Sequence, residues 1–279
     1  MFIFDDILIK FRMKVESFKP NEHYDNVCKE IYDLVVIKHD DRDFIPVIDD
    51  CSYDIVFYKE RNCIFLYGEN NEVVDIQSGV FTIHNLNSPP YKLVSDSEIS
   101  FVTLKFHPWM NSYLFGSLKR KRIVDLAKDN EELRALHKNI FNTKKSSQRL
   151  ELLNTFLNSL EVSFSNRMLF VKSVCETVFE ENGKVSVNDL CNEFGKSRQY
   201  LNRVFKQEVL YSLKHFIITV RILSLIKFKL NENSITLTEL CYDYGYFDQS
   251  HFIRDFKRVC GVTPKYFFEN LSEFMLRHK

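Results

Sequence analysis

The sequence predicts an α+β chain of two domains. The first is β-rich, a small sheet, sandwich or barrel. A helical connector leads to the second, which is all-α and holds two helix–turn–helix units. Three observations carry this. At 279 residues the chain is too long for one small core. Near Ser117 the hydrophobic period changes from short runs to spacings of three and four. Part of the C-terminal region also recurs at an offset of about fifty residues. The expected boundaries are 1–116 for the β-rich domain, 117–165 for the connector and 166–279 for the helical domain.

Residues 1–110 read as strands. DIVFYKE, CIFLYGEN, EVVDIQSG, VFTIHNL and ISFVTLKF are rich in β-branched and aromatic residues and are divided by turn-forming clusters. Tyr67–Asn71 reads as a turn, and Ser88-Pro89-Pro90 breaks any regular element. IVDLAKDNEELRALHKNIF and RLELLNTFLNSLEVSF then carry helical periodicity, with Lys144–Ser147 between them. From Asn166 the pattern is almost wholly helical.

The repeat lies in this last part. SVNDLCNEFG (186–195) aligns with TLTELCYDYG (236–245) at an offset of fifty, and LNRVFKQEVL (201–210) aligns with FIRDFKRVCG (252–261) at fifty-one. Two copies of one helix–turn–helix explain both alignments, with one residue inserted in the second turn. Ser186 and Thr236 are N-caps for the first helix of each copy. Gly195 and Gly245 stand where that helix stops and the chain turns sharply. Ser197 and Asp248 can cap the second helix.

Each second helix is amphipathic. In the first copy Leu201, Phe205 and the stem of Glu208 share one face, and Gln199, Asn202, Arg203 and Lys206 share the other. In the second, Phe252, Phe256 and Val259 lie inward, Ser250, Ile253, Arg254 and Lys257 lie outward, and Asp255 falls at the edge of the inner face. Arg, Asn and Gln read base edges in the major groove, and Lys neutralises phosphate. Two equivalent basic faces therefore point to duplex DNA. Between the copies, residues 212–230 form one helical pattern with Phe216, Val220, Leu223 and the stem of Lys227 along a stripe. Such a rod is ~28 Å long, and it could hold two recognition helices about one DNA turn, ~34 Å, apart.

Charge agrees in sign. The net charge is zero overall, but residues 166–279 hold 17 Lys and Arg against 13 Asp and Glu, which leaves the rest acidic. Seven cysteines, an odd number with no C-x-x-C pair, read as reduced small hydrophobes. No apolar run approaches the ~18 residues that span a bilayer, and Asp5 and Asp6 stand where a signal peptide would be basic or apolar. A cytoplasmic chain with no membrane partner is expected.

Two strings carry a family resemblance: L-C-x-x-x-G-x-S-x-x-Y-L-x-R-x-F-K (190–206) and G-Y-x-D-Q-S-H-F-x-R-x-F-K-R-x-x-G-V-T-P (245–264). Residues ~170–270 resemble the DNA-binding domain of the AraC/XylS family of transcription regulators. The resemblance implies sequence-specific binding to promoter DNA and activation through RNA polymerase; no cofactor is expected. By position it makes Gln199, Asn202 and Arg203 candidates for base contact in the first unit, where Ser197, Arg198 and Lys206 complete the candidate DNA-binding set. In the second it makes Gln249, Ser250, Ile253 and Arg254 candidates, and Lys257 on the same outward face completes the set. PVIDDCSYDIVFY (46–58) and FVTLKFHPWMNSYLFG (101–116) resemble a small N-terminal domain of some family members, which senses small molecules or mediates self-association. A small-molecule effector and a homodimer follow as expectations.

The sequence departs from the pattern in places. Leu210 stands where the family usually has glycine, so the turn there must differ or be strained. Ile253 has no hydrogen bond to offer a base but could touch a thymine methyl. Asp50 replaces a glycine of the N-terminal segment, and the linker helix holds no alanine. Two other readings remain open. One is a co-regulator acting by protein contact with degenerate DNA binding. The other is a metal-binding enzyme in the β-rich domain, although His84, His107 and Glu98 are scattered there and no nucleophile elbow, phosphate loop or dinucleotide fingerprint is present. No metal site and no catalytic residue are expected.

Overall fold

A computed structural model of the chain describes residues 12–37, 45–59, 63–67, 72–76, 78–83, 91–94, 99–118, 123–232 and 234–270. The Tyr67–Asn71 and Ser88–Pro90 turns, Asp5, Asp6, His84 and Glu98 lie wholly or mainly outside the described residues.

The first half is antiparallel β-structure. Strands β1 (Arg12–Phe18), β2 (Cys28–Ile37), β3 (Ile45–Val47), β4 (Asp54–Tyr58) and β5 (Cys63–Tyr67) come first. They are followed by β6 (Glu72–Ile76), β7 (Gly79–Ile83), β8 (Tyr91–Val94), β9 (Ile99–Phe106) and β10 (Ile123–Asp125). One sheet has the order β1-β2-β9-β4-β7-β10 and the other β3-β8-β5-β6. β9, central between β2 and β4, is buried along its whole length because both of its faces are covered. Its side chains alternate, as the period of two requires. Val102, Leu104 and Phe106 enter one hydrophobic cluster, and Ile99 and Phe101 enter another.

Residues 123–125 differ from the expected helical connector. They form β10, pairing Ile123 with Ile83 and Asp125 with Phe81. Three residues carry too little periodicity to announce an edge strand, and pairing with β7 decides the conformation. The helices are α1 (Asn111–Phe115), α2 (Glu131–Asn142), α3 (Ser146–Ser159), α4 (Asn166–Glu180) and α5 (Val187–Phe194). They continue with α6 (Arg198–Val209), α7 (Leu213–Asn231), α8 (Leu237–Asp243), α9 (Gln249–Cys260) and α10 (Pro264–Glu269).

The β-rich part and the first helix–turn–helix share a core. Val102, Leu104, Phe106, Trp109 and Phe115 cluster with Met168 and Val171 of α4, Leu201 and Phe205 of α6, and Phe216 of α7. Asn111, fully buried, sits at this junction. Its amide donates to the carbonyls of Cys51 and Val209, each at 2.9 Å, and its oxygen accepts the Tyr53 N–H at 3.1 Å. A buried amide satisfied on three sides specifies how the two parts meet. Nearby, the Tyr211 hydroxyl donates to Asp49, while Asp50 accepts from Lys29 at 3.1 Å and Lys105 at 3.0 Å. At the position where the related segment has glycine, Asp50 thus supplies an ion pair, and the left-handed residue is Cys51, at φ 61°.

Helix α7 is buried more widely than a single stripe. Phe216, Ile217 and Val220 join the first core; Ile218, Ile222, Leu225, Ile226 and Leu230 join the core of the second unit. Leu223 is only half-buried and Lys227 is exposed, so the expected stripe was too narrow. Serving two units on different sides requires apolar residues around most of the helix.

Candidate nucleic-acid interface

Both units open with the same local chemistry. The Ser186 hydroxyl accepts the Asp189 N–H at 3.2 Å, and the Asp189 carboxylate accepts the Ser186 N–H at 2.8 Å. Thr236 and Glu239 repeat the exchange at 3.2 and 2.8 Å. These reciprocal bonds form a capping box and satisfy amide groups that a helix start leaves free. They also hold both carboxylates below their ordinary pKa. For Asp189 the hydroxyl of Ser186 contributes most, and for Glu239 the backbone of Thr236 does. The turn that follows uses left-handed glycines, Gly195 at φ 60° and Gly245 at φ 74°. Ser197 then accepts the Tyr200 N–H at 3.2 Å to start α6, and Asp248 accepts the His251 N–H at 2.7 Å to start α9.

Helix α6 buries Leu201, Val204, Phe205 and Val209. Ser197, Arg198, Gln199, Arg203 and Lys206 are exposed. Asn202 departs from expectation. It is half-buried, and its Nδ2 donates to the Arg198 carbonyl at 2.9 Å, so one donor is spent within the helix. Asparagine's short side chain readily bonds the backbone one turn back. Helix α9 buries Phe252, Phe256, Val259 and Cys260 and exposes Gln249, Ser250, Ile253, Arg254 and Lys257. Gln249 Nε2 donates to Thr238 Oγ1 of α8 at 3.0 Å. Asp255, expected at the edge, is 4% exposed, with His251 Nε2 3.3 Å from its carboxylate.

Two features of these surfaces were not anticipated by the periodicity of the sequence. Tyr200 lies beneath two cations, with the Arg203 guanidinium 5.7 Å and the Lys196 ammonium 5.8 Å from its ring centroid. Phe170 of α4 meets that ring edge-on at 6.1 Å. Phe247, in the turn before α9, is 91% exposed. It was traceable as an aromatic in the repeat that matches no inward position of either helix.

The helix ends differ as the sequence suggested. Gly261 caps α9 at φ 76°, and Leu210 caps α6 at φ 67° and ψ 3°, a left-handed leucine. After it the chain restarts at once. Ser212 accepts the His215 N–H at 3.2 Å to open α7, and the α6–α7 pair is bent by 69°.

In the β-rich part His107 is packed rather than poised. Its ring stacks on Trp109 with centroids 4.2 Å apart, and Nε2 lies 2.8 Å from the Asp25 carbonyl. Burial, then the charge of Lys29, pushes its pKa down to about 4. Among the described residues no three His, Cys, Asp or Glu side chains come together as metal ligands, and no single helix is long and apolar enough to cross a membrane.

Two capped helix–turn–helix units, each presenting a basic second helix, define a DNA-binding transcription regulator. A family model described as a helix-turn-helix domain matches residues 190–270. The probable transcription factor PqrA of Proteus vulgaris is 30% identical over 95 residues, 34% of this chain and 77% of that protein. The Msm operon regulatory protein of Streptococcus mutans is 28% identical over 117 residues, and the match spans 42% of each chain, under half of that regulator's length. Among solved structures, an apo form of ToxT from Vibrio cholerae is similar with a TM-score of 0.49 at 16% identity, covering 94% of this chain and 98% of that one. The chain belongs to the AraC/XylS family of transcription regulators.

Proposed function

We propose that the chain activates transcription by placing α6 and α9 in successive major grooves on one face of promoter DNA. One observation carries this reading. Two equivalent helices, each opened by its own cap, expose polar and basic residues while a single buried helix, α7, joins their cores. In the first unit Arg198, Gln199 and Arg203 reach base edges, Asn202 adds a contact once released from its own helix, and Ser197 and Lys206 hold phosphate. In the second, Gln249, Ser250 and Arg254 approach bases, Ile253 packs on a thymine methyl, and Lys257 neutralises phosphate. RNA polymerase is the partner that converts binding to activation. The β-rich part receives a small-molecule effector or a second copy of the chain, and the protein works in the cytoplasm.

The test is binding to selected duplexes across a salt series. Affinity should fall linearly on a log–log plot as counterions are released. Arg203→Ala should cost about 1–3 kcal/mol on the selected site and relax preference at one position. Lys257→Ala should weaken all duplexes evenly and reduce the salt slope by about 1. Equal, sequence-independent losses for both variants would remove Arg203 as a base reader. A chain without sequence preference would instead favour regulation by protein contact.

A further inference from the structure

The turn between α4 and α5 is folded against α7 more tightly than a connection requires. Asn182 and Gly183 are both left-handed, at φ 52° and 69°. A Cβ on Gly183 would lie 2.5 Å from the Arg221 backbone nitrogen and 2.6 Å from the Ile217 carbonyl oxygen, so only glycine allows this approach. The Gly183 carbonyl accepts the Arg221 Nε–H at 2.6 Å. The guanidinium carbon of Arg221 lies 5.4 Å from the centroid of Tyr246, the residue after Gly245 in the second unit's turn. Tyr246 is 2% exposed and packs on His251 and Phe252 of α9, with centroids 5.2 and 5.4 Å away.

A second strut runs beside the first. Lys184 Nζ lies 4.6 Å from the ring centroid of Tyr244 at the end of α8, and the Tyr244 hydroxyl donates to the Ser224 carbonyl of α7 at 3.0 Å. Consecutive residues on the way into the first unit thus reach consecutive elements of the second. Cations against aromatic faces and a hydrogen bond at a close backbone approach resist rotation, where apolar packing alone is less directional.

We propose that Gly183, Lys184, Arg221, Tyr244 and Tyr246 form a brace that fixes the second recognition helix relative to the first and thereby sets the half-site spacing the chain accepts. The inference rests on the two-groove reading above. Arg221 is a positioning residue and does not itself touch DNA. One added base pair moves the second half-site by about 3.4 Å and about a tenth of a turn. A rigid pair of readers loses one groove under that change, and a loosened pair follows it.

The experiment uses the full chain and a duplex selected by the wild type, rebuilt with one or two base pairs inserted or deleted between the half-sites. Wild type should prefer its own spacing by about tenfold or more. Arg221→Gln should flatten that profile to within about threefold while retaining preference for each half-site sequence. Lys184→Ala changes an exposed side chain, and it should broaden the profile in the same direction. Should Arg221→Gln fail to fold, Lys184→Ala decides alone. A sharp wild-type profile left unchanged in the folded variants overturns the brace and leaves the two-groove reading standing. A wild-type profile indifferent to spacing that still prefers each half-site sequence overturns the brace alone, and a wild type indifferent to both spacing and half-site sequence overturns the two-groove reading as well.

Discussion

Leu210 offers a direct test of how the first recognition helix ends. Its φ of 67° lies in the left-handed region, which costs a residue with a Cβ roughly 1–2 kcal/mol relative to glycine. Its side chain is half-buried against the core shared by α6 and the β-rich part, and the contacts made there offset the strain. Comparing Leu210→Gly with Leu210→Ala separates the two effects, because both remove nearly the whole side chain. In an ordinary helix interior glycine is less stable than alanine by about 1 kcal/mol. Here the order should reverse, with Leu210→Gly more stable than Leu210→Ala by about 1 kcal/mol. Against wild type, glycine should be near neutral and alanine destabilised by about 1–2 kcal/mol for the lost burial. Urea unfolding followed by circular dichroism reads the difference as a shift in midpoint at constant slope. An alanine variant as stable as the glycine variant, or more so, would refute the left-handed cap.

Other outcomes follow from the junction between the β-rich part and α6. Asn111→Leu keeps the branched shape and heavy-atom count but takes away the partner that Asn111 gives the carbonyls of Cys51 and Val209 and the Tyr53 N–H. It should cost at least about 3 kcal/mol in thermal unfolding, and a loss under about 1 kcal/mol would show that the amide is not the joint. Burial pushes the Asp49 carboxyl up to about 7 from its ordinary 3.8, against the lowering effect of the Tyr211 hydroxyl that donates to it. A raised carboxylate pKa stabilises the folded state fully below pH 4, and that stability is lost as pH rises through 7. His107, pushed down to about 4, acts in the opposite sense over an overlapping range. The wild-type urea midpoint minus that of Asp49→Asn cancels the histidine, and it should fall between pH 4 and 7. A flat difference would mean that Asp49 titrates normally.

The helix–turn–helix units were legible because their signals are local. Ser186 with Asp189, Thr236 with Glu239, and the glycines at 195 and 245 each act within a few residues, and the repeat doubled every one of them. Leu210 stood out as a departure and proved to be left-handed. What stayed hidden depends on distant partners. The order β1-β2-β9-β4-β7-β10 pairs segments far apart in sequence, and nothing in IVD announces that residues 123–125 will join β7. Asn111 bonds groups 58, 60 and 98 residues away, and Arg221 bonds one 38 residues away. No periodicity encodes such contacts. Arg203 and Lys206 lie on the exposed face of α6, where the helical period puts them. Asn202 does not behave so simply, because the wheel ignores a side chain's bond to its own backbone.

Hydroxyl-radical footprinting of the full chain on duplexes selected from a random library tests the central claim most directly. Two readers joined by one rigid helix should protect two windows on the same face of the DNA, about one helical turn apart. Arg203→Ala should weaken only one of them and Arg254→Ala only the other. A single protected window, or protection that both variants weaken alike, would contradict the account.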